Sequence, residues 1–385
     1  MSVKAITRED LRNRRQIAIA IVLVVALIGL LAIYYLLTRP PRPVTASEGK
    51  GYTHLLSIYG NRTDRLSKPV ETAVGPDGNI YVADTFKHRV VVFRQNGTFV
   101  TKFGKRGTGR GDLDFPNAIA VDKRGFVFVA NKTKNKIVLF DKRGRVVWEI
   151  NIPSPQAMTV VGTKLYVATP DRIMIGTTDG KLITSFGGRG RSKGKLDFIT
   201  GIAVSKGRIV VADSGNYRVQ AFNQDGEAVW VSGKPMAAGK GPRSLYRKYS
   251  LPAGLAADAD GNIFMVDAFA GQIVVLNPDG RELMKIGTWG HDDGQFYYPS
   301  GISYIGNQQF AIADKFNNRV QVFRIAVTEG PSVLLDALNP MVLIILLMLL
   351  MAVLVWQWYR RRPVASPSVA PLNPGLANLS SRNDS

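Results

Sequence analysis

One short phrase recurs through most of this chain and constrains its fold more than any other feature. Three copies match closely: 83–93 (ADTFKHRVVVF), 212–222 (ADSGNYRVQAF) and 313–323 (ADKFNNRVQVF). Three weaker copies stand at 130–140 (ANKTKNKIVLF), 168–175 (ATPDRIMI) and 266–276 (VDAFAGQIVVL). The second residues of the six copies are spaced 47, 38, 44, 54 and 47 residues apart. A strand-rich repeat with a period of roughly 40–50 residues is typical of a β-propeller or a related repeat array.

Each repeat contains four short runs with β-strand character. In the first unit these runs are 69–74 (PVETAV), 80–83 (IYVA), 89–93 (RVVVF) and 98–103 (TFVTKF). Residues that favour turns, such as Pro, Asp, Gly and Asn, lie between the runs,. Four such strands joined by turns form one blade of a propeller.

These strings resemble the NHL-repeat family of β-propellers. The resemblance rests on the patterns P-x-G-I-A-V, G-N-I-Y-V-A-D and N-x-R-V-Q-V-F. It is best at 251–276 and 299–323, weakest at 155–186, and extends over about 52–325. The resemblance, together with six copies of the phrase, implies an all-β, six-bladed propeller.

The ends of the repeat region predict how the ring closes. The sixth unit ends at its third strand, 319–325 (RVQVFRI), and the segment 52–60 (YTHLLSIYG) has the pattern of a fourth strand. We therefore predict that the N-terminal strand completes the last blade, which leaves no open sheet edge.

A repeated Asp and Arg pair occurs within the phrase. Three pairs keep a separation of five residues: Asp84 and Arg89, Asp213 and Arg218, and Asp314 and Arg319. An Asp accepts backbone N–H bonds in a turn, and an Arg on the next strand pairs with it. A pair that recurs in several blades is predicted to be a structural fastening of the blade rather than a reactive site.

Two apolar segments predict membrane spans. Residues 17–37 carry no charge over 21 positions, and residues 341–359 are similarly apolar,. A cleaved signal peptide is the alternative reading of the first segment. Basic residues precede the first span and follow the second, so both termini are expected in the cytoplasm and the propeller outside it. The predicted organisation is a basic N-terminus (1–16), span (17–37), linker (38–51), propeller (52–325), linker (326–340), span (341–359) and disordered tail (360–385),.

The charge of the chain predicts an anionic partner. Lys and Arg total 50 against 29 Asp and Glu, a net charge of +21. Four loops predicted to connect blades hold 15 basic residues against four Asp. A cationic face built from such loops attracts acidic proteins or anionic envelope polymers. The predicted contact residues are Lys105, Arg106, Arg110, Arg189, Arg191, Lys193, Lys195, Lys240, Arg243, Tyr246, Arg247 and Lys248.

The sequence offers little for catalysis. With no Cys, the chain has no thiolate nucleophile, thiolate metal site or disulfide, and its three His do not form the channel set that zinc-dependent propeller lyases use,. Glu71, Asn117 and Gln156 start three adjacent inner strands and form the one candidate site at the channel mouth,. The alternative is that these residues are only the polar lining of a water-filled channel. We predict neither a resident metal nor a cofactor.

The sequence is compatible with three functions. The first is a membrane-anchored, extracytoplasmic, non-catalytic module that binds or senses a partner. The second is a lyase-type or hydrolase-type propeller that uses the channel mouth. The third reverses the topology and places the propeller in the cytoplasm, where NHL relatives bind RNA; Tyr246 and Tyr249 would then stack on bases,.

Overall fold

The computed structural model describes residues 51–233 and 248–327, together with a few isolated helical positions between residues 16 and 34. Residues 51–233 and 248–327 form six four-stranded antiparallel sheets arranged as a propeller, as predicted. The sequence phrase falls at the same place in each blade, where the second strand passes into the third.

The strands of each blade run outward from a central channel. The first three blades contain β2 (Glu71–Val74), β3 (Ile80–Asp84), β4 (Arg89–Phe93) and β5 (Phe99–Phe103); β6 (Ala118–Val121), β7 (Val127–Asn131), β8 (Lys136–Phe140) and β9 (Val146–Asn151); and β10 (Ala157–Val161), β11 (Lys164–Ala168), β12 (Arg172–Thr177) and β13 (Leu182–Gly187).

Blades 4 and 5 repeat this order. They contain β14 (Ile199–Ser205), β15 (Arg208–Asp213), β16 (Arg218–Phe222) and β17 (Ala228–Gly233); and β18 (Pro252–Ala257), β19 (Ile263–Asp267), β20 (Gln272–Leu276) and β21 (Glu282–Ile286). A small parallel pair, β22 (Thr288–Trp289) and β23 (Gln295–Phe296), lies between blades 5 and 6.

The sixth blade closes the ring with a strand from the other end of the propeller. It contains β24 (Pro299–Gly306), β25 (Gln309–Asp314), β26 (Arg319–Ile325) and, on its outer edge, β1 (Tyr52–Ile58). Strand β1 pairs antiparallel with β26, from Tyr52 opposite Ile325 to Ile58 opposite Val320. The predicted closure is confirmed, and it gives the third strand of the last blade a neighbour.

The hydrophobic core lies between neighbouring blades. In blade 1 the two middle strands are buried along their whole length because the blade packs both of its faces against a neighbour. For example, Phe264 of blade 5 and Phe310 of blade 6 lie with ring centroids 4.0 Å apart. Each such side chain contributes roughly 1.5–3 kcal/mol by leaving water.

The propeller has two distinct faces. The connecting face holds the turns between second and third strands and the loops from one blade to the next. The entry face holds the remaining hairpin turns and both ends of the propeller, where the Ala326 N–H donates to the Gly51 carbonyl at 2.8 Å. Gly51 and Ala326, at the propeller ends of the two linkers, therefore lie side by side on the entry face at blade 6.

The predicted spans at 17–37 and 341–359, both flanking linkers and the C-terminal tail lie outside the described residues, apart from the isolated positions noted above. Among the residues that are described, no helix is long and apolar enough to cross a membrane.

Candidate partner-binding face

The Arg of the repeated phrase holds the loop that precedes its blade. The Arg218 guanidinium donates to the carbonyl oxygens of Arg191 at 2.7 Å, Ser192 at 2.9 Å and Lys195 at 2.6 Å. In blade 6, Arg319 donates in the same way to the carbonyls of Asp292 and Gln295. Because a guanidinium presents five donors in a rigid fork, one side chain fixes several peptide groups of the loop.

The Asp of the phrase completes this attachment. Asp213 accepts from Arg218 Nε at 2.7 Å with one carboxylate oxygen and from the Asp197 N–H at 2.7 Å with the other. Fully buried carboxylates with the same arrangement occur at Asp84 and Asp314, which pair with Arg89 and Arg319 at 2.8 Å. These pairs therefore connect blades 1, 4 and 6 to the loop that precedes each of them.

A third position of the phrase also contacts the loop. The side-chain amides of Asn216 and Asn317 donate to the carbonyls of Gly190 and Gly290, at 2.8 and 3.0 Å. In blade 2, where the phrase is weaker, Lys134 donates to the carbonyl of Gly107 instead. The repeated phrase thus serves the connecting face as well as the blade.

Three of the loops on this face share one fold. Parallel bridges join Arg106 to Leu113 and Arg189 to Leu196, and β22 with β23 forms the third example. Leu113, Leu196 and Phe296 are fully buried beneath their loops. The spacing G-x-x-x-G-x-[L/F], at 107–113, 190–196 and 290–296, is the sequence signal that marks these loops.

Two of these loops carry seven of the eight described basic residues of the predicted site. Lys105, Arg106, Arg110, Arg189, Arg191, Lys193 and Lys195 are all exposed. Arg110 and Lys193 reach back to the outer strands of the following blades, where they donate to the carbonyls of Val147 and Val229.

The remaining side chains of these two loops are free or loosely paired. Arg106 and Arg189 make long ion pairs, at 3.8 Å to Asp114 and 3.5 Å to Asp197. Within the described part of the chain, the side chains of Lys105, Arg191 and Lys195 have no acidic partner within 4.0 Å. The backbone is therefore fixed while much of the positive charge remains available.

The predicted contacts from the longest loop are only partly described. Lys240, Arg243, Tyr246 and Arg247 lie outside the described residues, and Lys248 is exposed. Tyr249, which we considered for base stacking, does not serve that role because it is only 1% exposed and its hydroxyl lies 2.8 Å from Ser232 Oγ.

An exposed run of aromatic rings crosses the connecting face, and the sequence did not predict it. Phe115 packs against Phe86, and on the other side of Lys68 the ring of Phe316 packs against Tyr298. Lys68 Nζ lies 4.2 Å from the Phe86 ring centroid and 5.5 Å from that of Phe316. The run ends at Phe269 and Trp289, which are 55% and 43% exposed.

A second lysine lies beside this aromatic run. Lys315 Nζ is 5.3 Å from the Phe316 ring centroid. Burial, with the nearby Lys68 ammonium, holds the pKa of Lys315 below its usual range. The ammonium groups of Lys68 and Lys315 thus both lie beside the Phe316 ring, and this arrangement favours an anionic group between them.

The loop between blades 5 and 6 has the same fold as the loops at 105–114 and 188–197 but differs from them in charge. It carries Asp292 and Asp293 with His291, and the His291 ring packs against Tyr297. The connecting face is therefore basic over the loops at 105–114 and 188–197 and aromatic to acidic near blade 6.

One carboxylate on this face gathers three cations. Asp64 accepts from Arg89 at 2.5 and 2.9 Å, from Lys102 at 2.7 Å and from Lys87 at 2.8 Å. Hydrogen bonds from Arg89, then Lys102 and Lys87, hold the pKa of Asp64 far below its ordinary value. In blade 1, Arg89 thus binds the carboxylate of Asp64, whereas in blade 4 Arg218 binds backbone carbonyls of the preceding loop.

Most of the channel-mouth side chains make hydrogen bonds within the propeller. The Asn117 amide donates to the carbonyls of Pro155 and Gln156 in the next blade, and its oxygen accepts from the Lys132 N–H. The Gln156 amide donates to Ser154. Thr200 and Ser300 likewise donate to carbonyls of neighbouring blades, at Pro252 and Val70. Asn117, Thr200 and Ser300 thus join neighbouring blades, whereas Gln156 bonds within its own segment.

Glu71 is the exception among the channel-mouth residues. It lines a central cavity of about 230 Å³, and one carboxyl oxygen accepts from the Thr72 N–H at 3.0 Å. Burial raises its pKa to about 8. Within the described ranges, no group of three or more His, Asp or Glu is placed to hold a metal ion.

Comparisons with known proteins agree with this architecture. A family model described as a 6-bladed beta-propeller matches residues 66–182, and an NHL repeat model matches residues 196–222. The Drosophila melanogaster protein brain tumor is 30% identical over 82 residues, which are 21% of this chain but only 8% of that relative.

Solved structures resemble the chain in fold. A streptogramin B lyase structure matches with a TM-score of 0.51 at 14% identity, over 73% of this chain and 100% of the other. The hydrazine synthase of Kuenenia stuttgartiensis matches with a TM-score of 0.50 at 15% identity, over 70% of this chain and 99% of the other. The described part of the chain is a six-bladed β-propeller, and residues 196–222 match the NHL repeat.

Proposed function

We propose that this chain is a membrane-anchored, extracytoplasmic and non-catalytic module that binds an anionic partner, an acidic protein or envelope polymer, through its connecting face. The observation that carries the proposal is the pair of loops at 105–114 and 188–197, which display exposed Lys and Arg on a backbone fixed by the blade phrase. A fixed loop loses little entropy on binding, and clustered positive charge accelerates capture of an anion.

Charge reversal on the connecting face tests this function. Lys105, Arg106, Arg191 and Lys195 would be changed together to Glu in the full-length chain, and binding to poly-L-glutamate would be measured at several salt concentrations. We expect a loss of affinity of at least tenfold and a weaker salt dependence, since several charge contacts disappear.

A matched variant separates this face from the net charge. Lys123, Lys142, Arg143 and Lys164 are exposed on the entry face, and their reversal to Glu changes the net charge equally. Equal losses from the two variants would show that binding follows total charge, and the proposed face would be rejected.

The anchoring part of the proposal rests on the apolar segments 17–37 and 341–359 and on the basic residues outside them,. Because the chain lacks Cys, a single Lys105→Cys variant has one reactive thiol. An impermeant maleimide added to intact cells is expected to label it. Labelling only after the cells are opened would contradict the proposed topology.

A second candidate, binding of single-stranded RNA by a cytoplasmic propeller, is favoured by one observation, the aromatic run beside Lys68 and Lys315. Stacking on an exposed ring contributes roughly 1–3 kcal/mol per base. If RNA is the partner, Phe86→Ala with Phe316→Ala will weaken binding of a uridine oligonucleotide and leave poly-L-glutamate binding unchanged. Equal RNA binding by the wild-type chain and the variant would reject this candidate.

A further inference from the structure

The charge on the entry face is unevenly distributed. Its four turns from blades 2 and 3, at 122–126, 141–145, 161–164 and 177–181, carry seven Lys and Arg against three Asp. The four equivalent turns of blades 4 and 5, at 205–208, 223–227, 258–262 and 277–281, carry three basic against five acidic residues. The basic part of this face thus lies at blades 2 and 3, and a neighbouring acidic part lies at blades 4 and 5.

Two of the three Asp in the basic part accept hydrogen bonds within their own turns. Asp122 is buried and accepts from the N–H groups of Arg124 and Phe126. Asp141 does the same with Arg143 and Arg145. By contrast, the ammonium and guanidinium groups of Lys123, Lys142, Arg143 and Lys164 are exposed, with no acidic partner within 4.0 Å in residues 51–233 and 248–327. The turns therefore present cations outward.

The basic turns form one continuous patch. Arg124 of blade 2 donates to Thr178 Oγ1 of blade 3 at 3.3 Å, and the Thr178 N–H donates to the Thr163 carbonyl at 2.9 Å. Two aliphatic side chains are exposed beside these charges, Val161 at 47% and Leu182 at 61%. Exposed aliphatic groups among Lys and Arg are typical of surfaces that lie on anionic lipid headgroups.

The position of the patch agrees with the chain ends. Gly51 and Ala326 lie on the entry face at blade 6, and the sequences beyond them lead to the apolar segments 17–37 and 341–359. In a ring of six blades, blade 3 lies opposite blade 6. If the linkers hold blade 6 at a membrane, the patch at blades 2 and 3 faces the same membrane from the opposite side of the ring.

We propose that the entry-face turns of blades 2 and 3 rest on anionic phospholipid headgroups, so that the propeller is held against the bilayer at two opposite points. The proposal rests on the anchoring part of the proposed function. It adds a binding partner for the entry face, a surface that the proposed function does not use. In this orientation the connecting face points away from the lipid.

Single-cysteine labels on the full-length chain test the proposal. A fluorophore would be placed at Thr163→Cys in the patch, at Asp260→Cys in the acidic part of the entry face, and at Thr108→Cys on the connecting face. The chain would be reconstituted into phosphatidylcholine vesicles with or without phosphatidylglycerol, together with a headgroup-level lipid quencher. We expect severalfold stronger quenching at 163 than at 260 or 108, and only with phosphatidylglycerol.

A charge variant makes the outcome specific. Reversal of Lys123, Lys142, Arg143 and Lys164 to Glu is expected to abolish the additional quenching at 163. Equal quenching at 163 and 260, or quenching at 163 that survives the reversal, would overturn the proposal. If the chain floats with vesicles while the label at 163 stays unquenched, the lipid contact is wrong and anchoring stands. If the chain does not float with anionic vesicles, both are wrong.

Discussion

The guanidinium of Arg218 donates a hydrogen bond to the backbone carbonyl of Lys195 at 2.6 Å. This contact joins the most regular part of the sequence to one of the loops that vary between blades. The phrase that defines the fold therefore also determines where the basic loops of the connecting face lie. Stability and binding are expected to depend on the same residue.

Replacing Arg218 with Ala is expected to destabilise the propeller and release the loop at 188–197. The change leaves the buried Asp213 carboxylate without its cation and removes three bonds to loop carbonyls. Losing one partner of a buried ion pair costs about 3–5 kcal/mol. Urea unfolding and trypsin cleavage within the loop measure the two effects. Arg281→Ala, at an exposed site, is the matched control, and equal stabilities would contradict the role given to Arg218.

Asp64→Asn is expected to lower stability near neutral pH and to matter less in acid. The folded-state pKa of Asp64 is depressed by Arg89, Lys102 and Lys87, so its contribution is present above the unfolded pKa of about 4 and is lost as the pH falls further,. A few charge-assisted bonds contribute about 1–3 kcal/mol in total at a partly exposed site. Urea unfolding at neutral and acid pH measures the difference, which should shrink in acid. A constant difference would show that the bonds do not depend on ionisation.

Glu71→Gln is expected to change the pH dependence of stability with the opposite sign. The folded-state pKa of Glu71 is raised to about 8 by burial. Its stabilising contribution is full below the unfolded pKa of about 4.3 and is lost as the pH rises through 8. The Gln variant should therefore gain on the wild type between mildly acidic and alkaline pH, as measured by urea midpoints. Parallel curves would mean that Glu71 is solvated in the folded chain.

Deleting residues 52–58 is expected to open the ring. Without β1, the edge of β26 is exposed, and unpaired strand edges associate with other chains,. We expect loss of a single cooperative unfolding transition and association that increases with concentration, measured by urea unfolding and light scattering. A monomeric deletion variant that unfolds like the wild type would contradict the closure by β1.

The fold was predictable from the sequence because the phrase repeats where second strands meet third strands. The missing strand after 325 and the strand-like segment at 52–60 then predicted closure. The aromatic run was not predictable in this way. Lys68 and Phe316 are 248 residues apart and become neighbours only when the ring closes. The hydrogen bonds of the channel-mouth residues were likewise not predictable from residue type alone, since Asn117 bonds to the next blade and Gln156 to Ser154 of its own segment.

In the proposed function, the connecting face binds an anionic partner through loops held by the blade phrase. Amide hydrogen exchange of the full-length chain, with and without poly-L-glutamate, tests it most directly because it reports every segment at once. We predict slower exchange in the loops at 105–114 and 188–197 when the polymer is bound, with no change in the entry-face turns at 122–126 and 141–145. Protection confined to the entry-face turns, or spread equally over both faces, would contradict the account.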